Sequence, residues 1–247
     1  MISFIGQCVI NLSTTLKYIF SGQAKWKDII MQSATIGFDS LGISLMIVII
    51  ASSVIALQVS NQFLLTGGES YIGGFLSVAL IREIAPGFAA LAIGARAGTA
   101  ITAEIANMQV TEQVDAMKVL GVNPVGYYFA PRLIGASITV ALIVILAEFL
   151  GILAGMAISY GTIGLHPNRY IASVWLMLTM KDLFVSIFKG FIFGGIIAIV
   201  CATVGYNTTG GAKGVGESTT KSAILCTLFL LIADLLIGFL FYMAGNI

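Results

Sequence analysis

Long apolar stretches dominate the pattern of this chain, and short polar segments separate them. Five stretches are long enough to cross a hydrocarbon core of about 30 Å as helices, at residues 42–59, 75–95, 133–160, 184–204 and 222–243. Of the 247 residues, 58% are hydrophobic and only 9% are charged. A soluble protein of this size carries more charge. The pattern therefore predicts an all-α integral membrane protein with five transmembrane helices.

The N-terminal segment, residues 1–40, is predicted to form interfacial and connecting helices. Its apolar positions recur at spacings of three and four residues, at Ile2, Ile5, Val9, Leu12, Leu16 and Ile19. This spacing is typical of an amphipathic helix, too weakly apolar to span, that lies in the membrane interface. A helix that packs on its own bundle gives the same pattern.

The distribution of Lys and Arg predicts the orientation of the chain. Eight of them flank the spans on one side: Lys17, Lys25, Lys27, Arg96, Lys118, Arg132, Lys213 and Lys221. The other side has Arg169 and Lys181, and Lys189 near the start of the fourth span raises that count to three. Since basic residues favour the cytoplasmic side, the N-terminus is placed in the cytoplasm and the C-terminus outside.

A polar segment, residues 103–121, follows the second span on the predicted cytoplasmic side. Thr111 is the predicted N-cap, Glu112 suits the first turn of a helix, and Gly121 and Pro124 mark its end. Val114, Met117 and Leu120 form an apolar stripe, whereas the polar residues occupy other faces, at Glu112, Gln113, Asp115 and Lys118. The segment is predicted to be a short amphipathic surface helix. A plain solvated connecting helix is the alternative.

Among the ionisable residues inside predicted spans, Arg82, Glu83, Glu148 and Asp234 are candidates for a role. Each costs about 2.5–3.5 kcal/mol on insertion scales and so requires a structural or functional reason. For Glu148 and Asp234, hydrogen bonding at helix contacts is the favoured role, and a proton relay or a site for a substrate headgroup is the alternative. Arg82 and Glu83 either pair with other charges, line a polar vestibule or lie near the outer interface, and a structural role is favoured for them.

Two further groups are candidates for function. Ile50, Val54 and Leu57 lie on one side of the first span and suit an apolar wall along a lipid path, although a helix facing bulk lipid has the same pattern. Arg96 and Glu104 are eight residues apart and are predicted to help fix the angle at which the polar segment leaves the membrane.

Several motifs in this order resemble the MlaE/YrbE family of ABC-transporter permeases. They are Arg82-Glu-Ile-Ala-Pro-Gly, Gly94-Ala-Arg-Ala-Gly-Thr-Ala-Ile-Thr-Ala-Glu-Ile, Val110-Thr-Glu-Gln-Val-Asp-Ala-Met-Lys-Val-Leu-Gly-Val-Asn-Pro and Pro131-Arg. The stretch from Gly205 to Ala223 resembles the second cytoplasmic loop of the family. The resemblance covers nearly the whole chain, as a single permease domain over residues 1–247.

The resemblance implies a homodimeric permease in the bacterial inner membrane. Family members work with a separate cytoplasmic ATPase and an MCE-domain lipid-binding protein, and they move phospholipids or other lipids between the inner membrane and the outer envelope. The polar segment is then the coupling helix that seats on the ATPase. Its implied coupling residues are Glu104, Thr111, Glu112, Gln113, Asp115, Lys118 and Gly121.

The chain carries no Gly-x-x-x-x-Gly-Lys-Ser/Thr motif, since Gly211 stands where the lysine should be in the run from Gly205. ATP and Mg²⁺ are therefore assigned to the partner ATPase, and no cofactor, metal, nucleic acid or catalytic residue is assigned to this chain. Two other functions remain open at this point: a proton- or ion-coupled secondary transporter, and a membrane scaffold that does not transport.

Overall fold

The computed structural model describes residues 2–245, and the regular structure of this part is entirely helical. The helices are α1 (Ile2–Phe20), α2 (Trp26–Thr66), α3 (Glu69–Val110), α4 (Gln113–Val119), α5 (Pro124–Ile163), α6 (Pro167–Met177), α7 (Met180–Tyr206) and α8 (Gly211–Gly245). Among the described residues, five helices are long and apolar enough to cross a membrane: α2, α3, α5, α7 and α8. The predicted all-α fold with five spanning helices is confirmed.

The spanning helices extend beyond the apolar stretches that revealed them. α2 begins at Trp26 rather than near residue 42, because its polar start still packs against a neighbour: Thr139 of α5 donates to the carbonyl of Ser33 at 3.3 Å. Similarly, α5 begins at Pro124 and continues through Pro131. Hydropathy marks only the part of a helix that lies in hydrocarbon, whereas hydrogen bonds and packing continue the helix past it.

α3 is a composite helix with two five-residue π-helical stretches, Leu80–Ile84 and Gly94–Gly98. Such stretches are rare and frequently occur at functional sites, because they rotate the side chains relative to a regular helix. The first contains Arg82 and Glu83, and the second contains Arg96. The charged residues of the predicted second span thus lie where the helix departs from regular geometry.

The structure corrects the predicted start of the helix after α3. Thr111 is not its N-cap: it ends α3, and its hydroxyl donates back to the carbonyl of Asn107 at 2.8 Å. Glu112 is the N-cap instead, with a left-handed φ of 61°. The part of the predicted coupling segment up to Val110 continues α3, so that the separate helix, α4, is only Gln113–Val119.

The chain forms two compact units, to both of which the spanning helices contribute. The first unit contains residues up to 40, 93–140 and 191–233. In it α1 packs on the bundle, because Asn11 donates to Thr203 of α7 at 3.0 Å and Asn207 donates to Gln7 at 2.9 Å. These contacts show that α1 packs on its own bundle, one of the two arrangements that fit its sequence pattern.

The second unit contains residues 41–92, 141–190 and those from 234 on. Here α6 packs closely on α3 because Gly73 and Gly74 have no side chains: a Cβ at either would collide with a backbone oxygen of α6. The amide of Gly74 also donates to the hydroxyl of Ser173 at 3.0 Å. Tyr170 lies fully buried in this core, and burial raises the pKa of its hydroxyl to about 12.

Candidate functional site

A buried lysine organises the polar groups of the second unit. The side chain of Lys189 is only 1% exposed, and its Nζ donates to Glu83 Oε2 at 2.7 Å, to Asp234 Oδ1 at 2.7 Å and to the backbone oxygen of Arg82 at 2.8 Å. An ammonium group has three N–H donors, so these three acceptors satisfy it. We call Lys189, Glu83, Asp234, Arg82 and Asp182 the Lys189 cluster.

Pro86 explains why a backbone oxygen is available to Lys189. In a regular helix the N–H of residue 86 would donate to the carbonyl of Arg82, but proline has no N–H. The Arg82 oxygen accepts from Lys189 instead. The proline of the Arg-Glu-Ile-Ala-Pro-Gly motif thereby helps to position the charge at the centre of the cluster.

Arg82 forms the exposed edge of the cluster. Its Nε donates to Asp182 Oδ1 at 2.6 Å, and Thr179 holds the other carboxylate oxygen through its amide at 3.0 Å and its hydroxyl at 2.7 Å. The Asp182 side chain is 7% exposed, whereas that of Arg82 is 54% exposed. A fixed carboxylate thus orients a guanidinium group whose remaining surface is accessible.

One face of α7 supplies partners that the sequence analysis missed. Asp182, Ser186 and Lys189 follow the i, i+4, i+7 spacing of a helix face. Asp182 binds Arg82, Ser186 donates to the buried carboxylate of Glu148, and Lys189 binds Glu83 and Asp234. The spacing is itself a signal of a shared face, whereas the charge pattern along the chain places Lys189 only among the charges that flank the span.

The structure gives Arg96 and Glu104 separate partners rather than bringing them together. Arg96 contacts Asp39 of α2 at 3.0 Å. Glu104 contacts Arg132 of α5 at 2.6 Å, and the Arg132 side chain is only 4% exposed. In the first unit, each pair joins the C-terminal part of α3 to a different spanning helix.

The segment around α4 is held by short-range contacts. Gln113 donates to the hydroxyl of Thr111 at 3.0 Å, and Lys118 contacts Asp115 at 2.8 Å. The hydrogen bond to Asp115 raises the pKa of Lys118. Gly121 closes the segment with a φ of 76°, a conformation that suits glycine.

α4 exposes more apolar surface than the stripe in its sequence predicts. Val114 is fully buried, whereas Val119 and Leu120 at the other end are 87% and 78% exposed. Adjacent apolar side chains this exposed on a segment between spans are available for contact with a partner protein or with the membrane. We call Val119, Leu120 and the polar residues Glu112, Gln113, Asp115 and Lys118 the α4 surface.

The predicted path residues Ile50, Val54 and Leu57 lie on α2, where they are between 42% and 57% exposed. They share one side of the helix, as the spacing predicts. Their role along a lipid path stays a prediction.

Comparison with known proteins identifies the family. The model of the family described as Permease MlaE matches residues 29–240, a range that includes both the Lys189 cluster and the α4 surface. This chain belongs to the MlaE permease family. The resemblance inferred from the sequence motifs is confirmed, and α1 lies outside the matched residues of this MlaE-family permease.

Relatives of the MlaE-family permease occur in bacteria and in a plant. A protein of Synechocystis named as a probable ABC transporter permease is 35% identical over 225 residues, which cover 91% of this chain and 86% of the relative. One of Rickettsia prowazekii with the same description is 35% identical, with 87% and 83% covered. The chloroplastic protein Trigalactosyldiacylglycerol 1 of Arabidopsis thaliana is 31% identical, with 92% and 65% covered. The chain is thus a multi-pass ABC transporter permease of the MlaE family.

Proposed function

We propose that this MlaE-family permease moves phospholipid or a related lipid between the bacterial inner membrane and the outer envelope. A separate cytoplasmic ATPase supplies the energy, and an MCE-domain lipid-binding protein receives or delivers the lipid. The observation that carries the proposal is the α4 surface, an exposed apolar tip on a short helix between two spans of an ABC permease.

The α4 surface suits the docking of a soluble partner. Val119 and Leu120 provide an apolar centre, and the charged and amide side chains around them provide a polar rim, which is the usual anatomy of a protein interface. Val114 is buried on the other side of α4, and Lys118 at the rim lies 5.5 Å from the centre of the Tyr206 ring in α7. α4 therefore contacts a spanning helix, through which a bound partner can act on the membrane part of the permease.

Lipid as the transported molecule is supported by the spans and by one relative. The side of α2 with Ile50, Val54 and Leu57 can contact acyl chains, and the exposed guanidinium edge of Arg82 can bind the phosphate of a headgroup. The Arabidopsis relative is named after a lipid, trigalactosyldiacylglycerol. No step in this proposal requires a catalytic group.

α8 is the proposed contact between two copies of the permease. Within the most apolar 18-residue stretch of α8, only 11% is buried within the chain, whereas the corresponding share for α3 is 56%. A second copy packed along its exposed face, which includes Leu231, Leu235 and Phe239, would complete a homodimer with ten spanning helices. The N-terminus and α4 are assigned to the cytoplasm, and the C-terminus to the outer side.

Purification of the protein from a native membrane, with mass spectrometry of the proteins and lipids that come with it, tests the proposal. We expect an ATPase and phospholipid with the native chain. Leu120→Asp should lose the ATPase because it places a charge at the centre of the interface. Leu65→Asp, at a position 82% exposed at the end of α2, is the matched control and should keep it. Recovery of neither ATPase nor lipid with the native chain contradicts the proposal.

The Lys189 cluster favours one other function, a proton- or ion-coupled secondary transporter. Ionisable groups within a span are commonly parts of ion pathways. The two functions differ in their energy source: transport in sealed vesicles that follows a proton gradient and ignores ATP would establish the alternative.

A further inference from the structure

The first unit contains an apolar groove of about 680 Å³ that the transport proposal does not use. One wall is α1, and the other walls come from α5, α7 and α8. Its volume lies in the range of about 300–1,000 Å³ that is usual for ligand sites. Ser137 carries the one hydroxyl among the lining side chains. We call this cavity the α1 groove.

α1 is fixed as a wall of the groove by its own amphipathic pattern. Its apolar residues, such as Val9, Leu12 and Leu16, line the groove, whereas its polar residues Gln7 and Asn11 make hydrogen bonds to the end of α7. Since α1 is held on its polar side, its apolar side keeps a stable shape.

The position of the groove along the spanning helices indicates what fills it. The lining residues of α7 lie between Phe191 and Val200, in the middle of a helix that crosses the membrane. Apolar cavities do not hold ordered water, because water there finds no hydrogen-bond partners. Acyl chains are the apolar component of a bilayer at this depth, so the groove suits one of them.

Three lysines lie in α1 or shortly after it in the chain, and α1 forms one wall of the groove. Lys17 follows the lining residue Leu16, and Lys25 and Lys27 are exposed at the start of α2. The start of α2 follows the end of α1 after a short connection, residues 21–25, and α1 lines the groove as far as Ile19. Lysine side chains near a membrane surface attract anionic lipid. A headgroup with a net negative charge fits this end of the site.

We propose that the α1 groove binds an acyl chain of one anionic phospholipid, whose phosphate and headgroup contact Lys17, Lys25 and Lys27. This phospholipid is a resident component of the permease and not its cargo. The predicted path residues of α2 do not line the groove, and the wall formed by α1 is fixed by hydrogen bonds. The proposal is independent of the partner ATPase and of the direction of transport.

Photocrosslinking in nanodiscs tests the proposal. The permease is reconstituted with a trace of phosphatidylglycerol that carries a diazirine in its acyl chain, and labelled peptides are identified by mass spectrometry. We expect labelling of the lining segments of α5 and α7. Gly195→Leu should reduce it about tenfold, because the new side chain enters the groove. The first atom of that side chain is tolerated, since a Cβ there lies 3.4 Å from its nearest neighbours.

Gly161→Leu is the matched control, since a Cβ at this position meets no atom within 4 Å and Gly161 lies outside the groove. It should leave the labelling unchanged. Equal labelling in the Gly195→Leu variant and the native chain overturns the proposal, as does labelling spread evenly over all exposed spans. If Gly195→Leu does not fold, competition in the native chain decides: unlabelled phosphatidylglycerol must suppress the labelling at a small molar excess.

A second arm tests the headgroup and the resident status. The combined Lys17→Gln, Lys25→Gln and Lys27→Gln variant should lose about tenfold or more of the preference for phosphatidylglycerol over phosphatidylethanolamine. An unchanged preference overturns the role of the lysines. A resident lipid also gives the same labelling when ATP is added to the assembled transporter before irradiation, whereas loss of the labelling with ATP would show that the groove holds cargo.

Discussion

At the scale of single residues, the intramembrane charges form pairs that the sequence could indicate but not assign. The presence of Arg82, Glu83, Glu148 and Asp234 inside apolar stretches was sufficient to mark them as positions that need partners. Their partners lie far along the chain, as with Arg82 and Asp182, and no local spacing connects such residues. Only the folded structure shows that Lys189 is the cation at the centre of the cluster.

Lys189→Met is expected to destabilise the permease by about 3–5 kcal/mol, because it leaves the carboxylates of Glu83 and Asp234 close together without their cation. The midpoint of thermal unfolding in detergent measures the effect. Lys181→Met, at an exposed position at the start of the same helix, is the control. Adding Glu83→Gln and Asp234→Asn should recover most of the loss. A loss no greater than that of the control contradicts the central position of Lys189.

The pair of Arg132 and Glu104 allows a direct measurement of coupling. Their contact is 2.6 Å long and the arginine side chain is nearly buried. In a double-mutant cycle with Arg132→Gln and Glu104→Gln, the coupling free energy should fall within about 0.5–3 kcal/mol. Additive effects of the two substitutions would mean that the pair does not join α3 to α5 energetically.

At the scale of elements, the sequence predicted the spanning helices well and their irregularities poorly. Each span depends on a local apolar run, which can be read directly. The π-helical stretches of α3 and the close approach of α6 at Gly73 and Gly74 depend on contacts with other helices. The start of α6 does have a local signal in the sequence: Pro167 stands at its first position, and His166 caps it.

The turn between α3 and α4 offers a test at this scale. A residue other than glycine in the left-handed conformation costs about 1–2 kcal/mol, and Glu112 has a φ of 61°. Glu112→Gly should therefore keep or raise the thermal stability, whereas Glu112→Val should lower it and weaken binding of the ATPase by displacing α4. Equal stability of the two variants would show that the turn relaxes without cost.

At the scale of the whole molecule, the first unit carries the α4 surface and the second carries the Lys189 cluster. The family and the five spans could be predicted from the motifs and the hydropathy pattern. The exposed tip at Val119 and Leu120 could not, because a stripe on a helical wheel shows which residues share a face but not which end of the helix is buried.

ATP-dependent lipid movement tests the central claim most directly. The permease is purified with its ATPase and reconstituted into liposomes that contain fluorescent phospholipid, and transfer to an acceptor is followed with and without ATP. The account predicts transfer that requires ATP in the native complex and in Leu65→Asp, and no ATP-dependent transfer in Leu120→Asp. Transfer at the same rate without ATP, or ATP hydrolysis with no lipid movement, would contradict it.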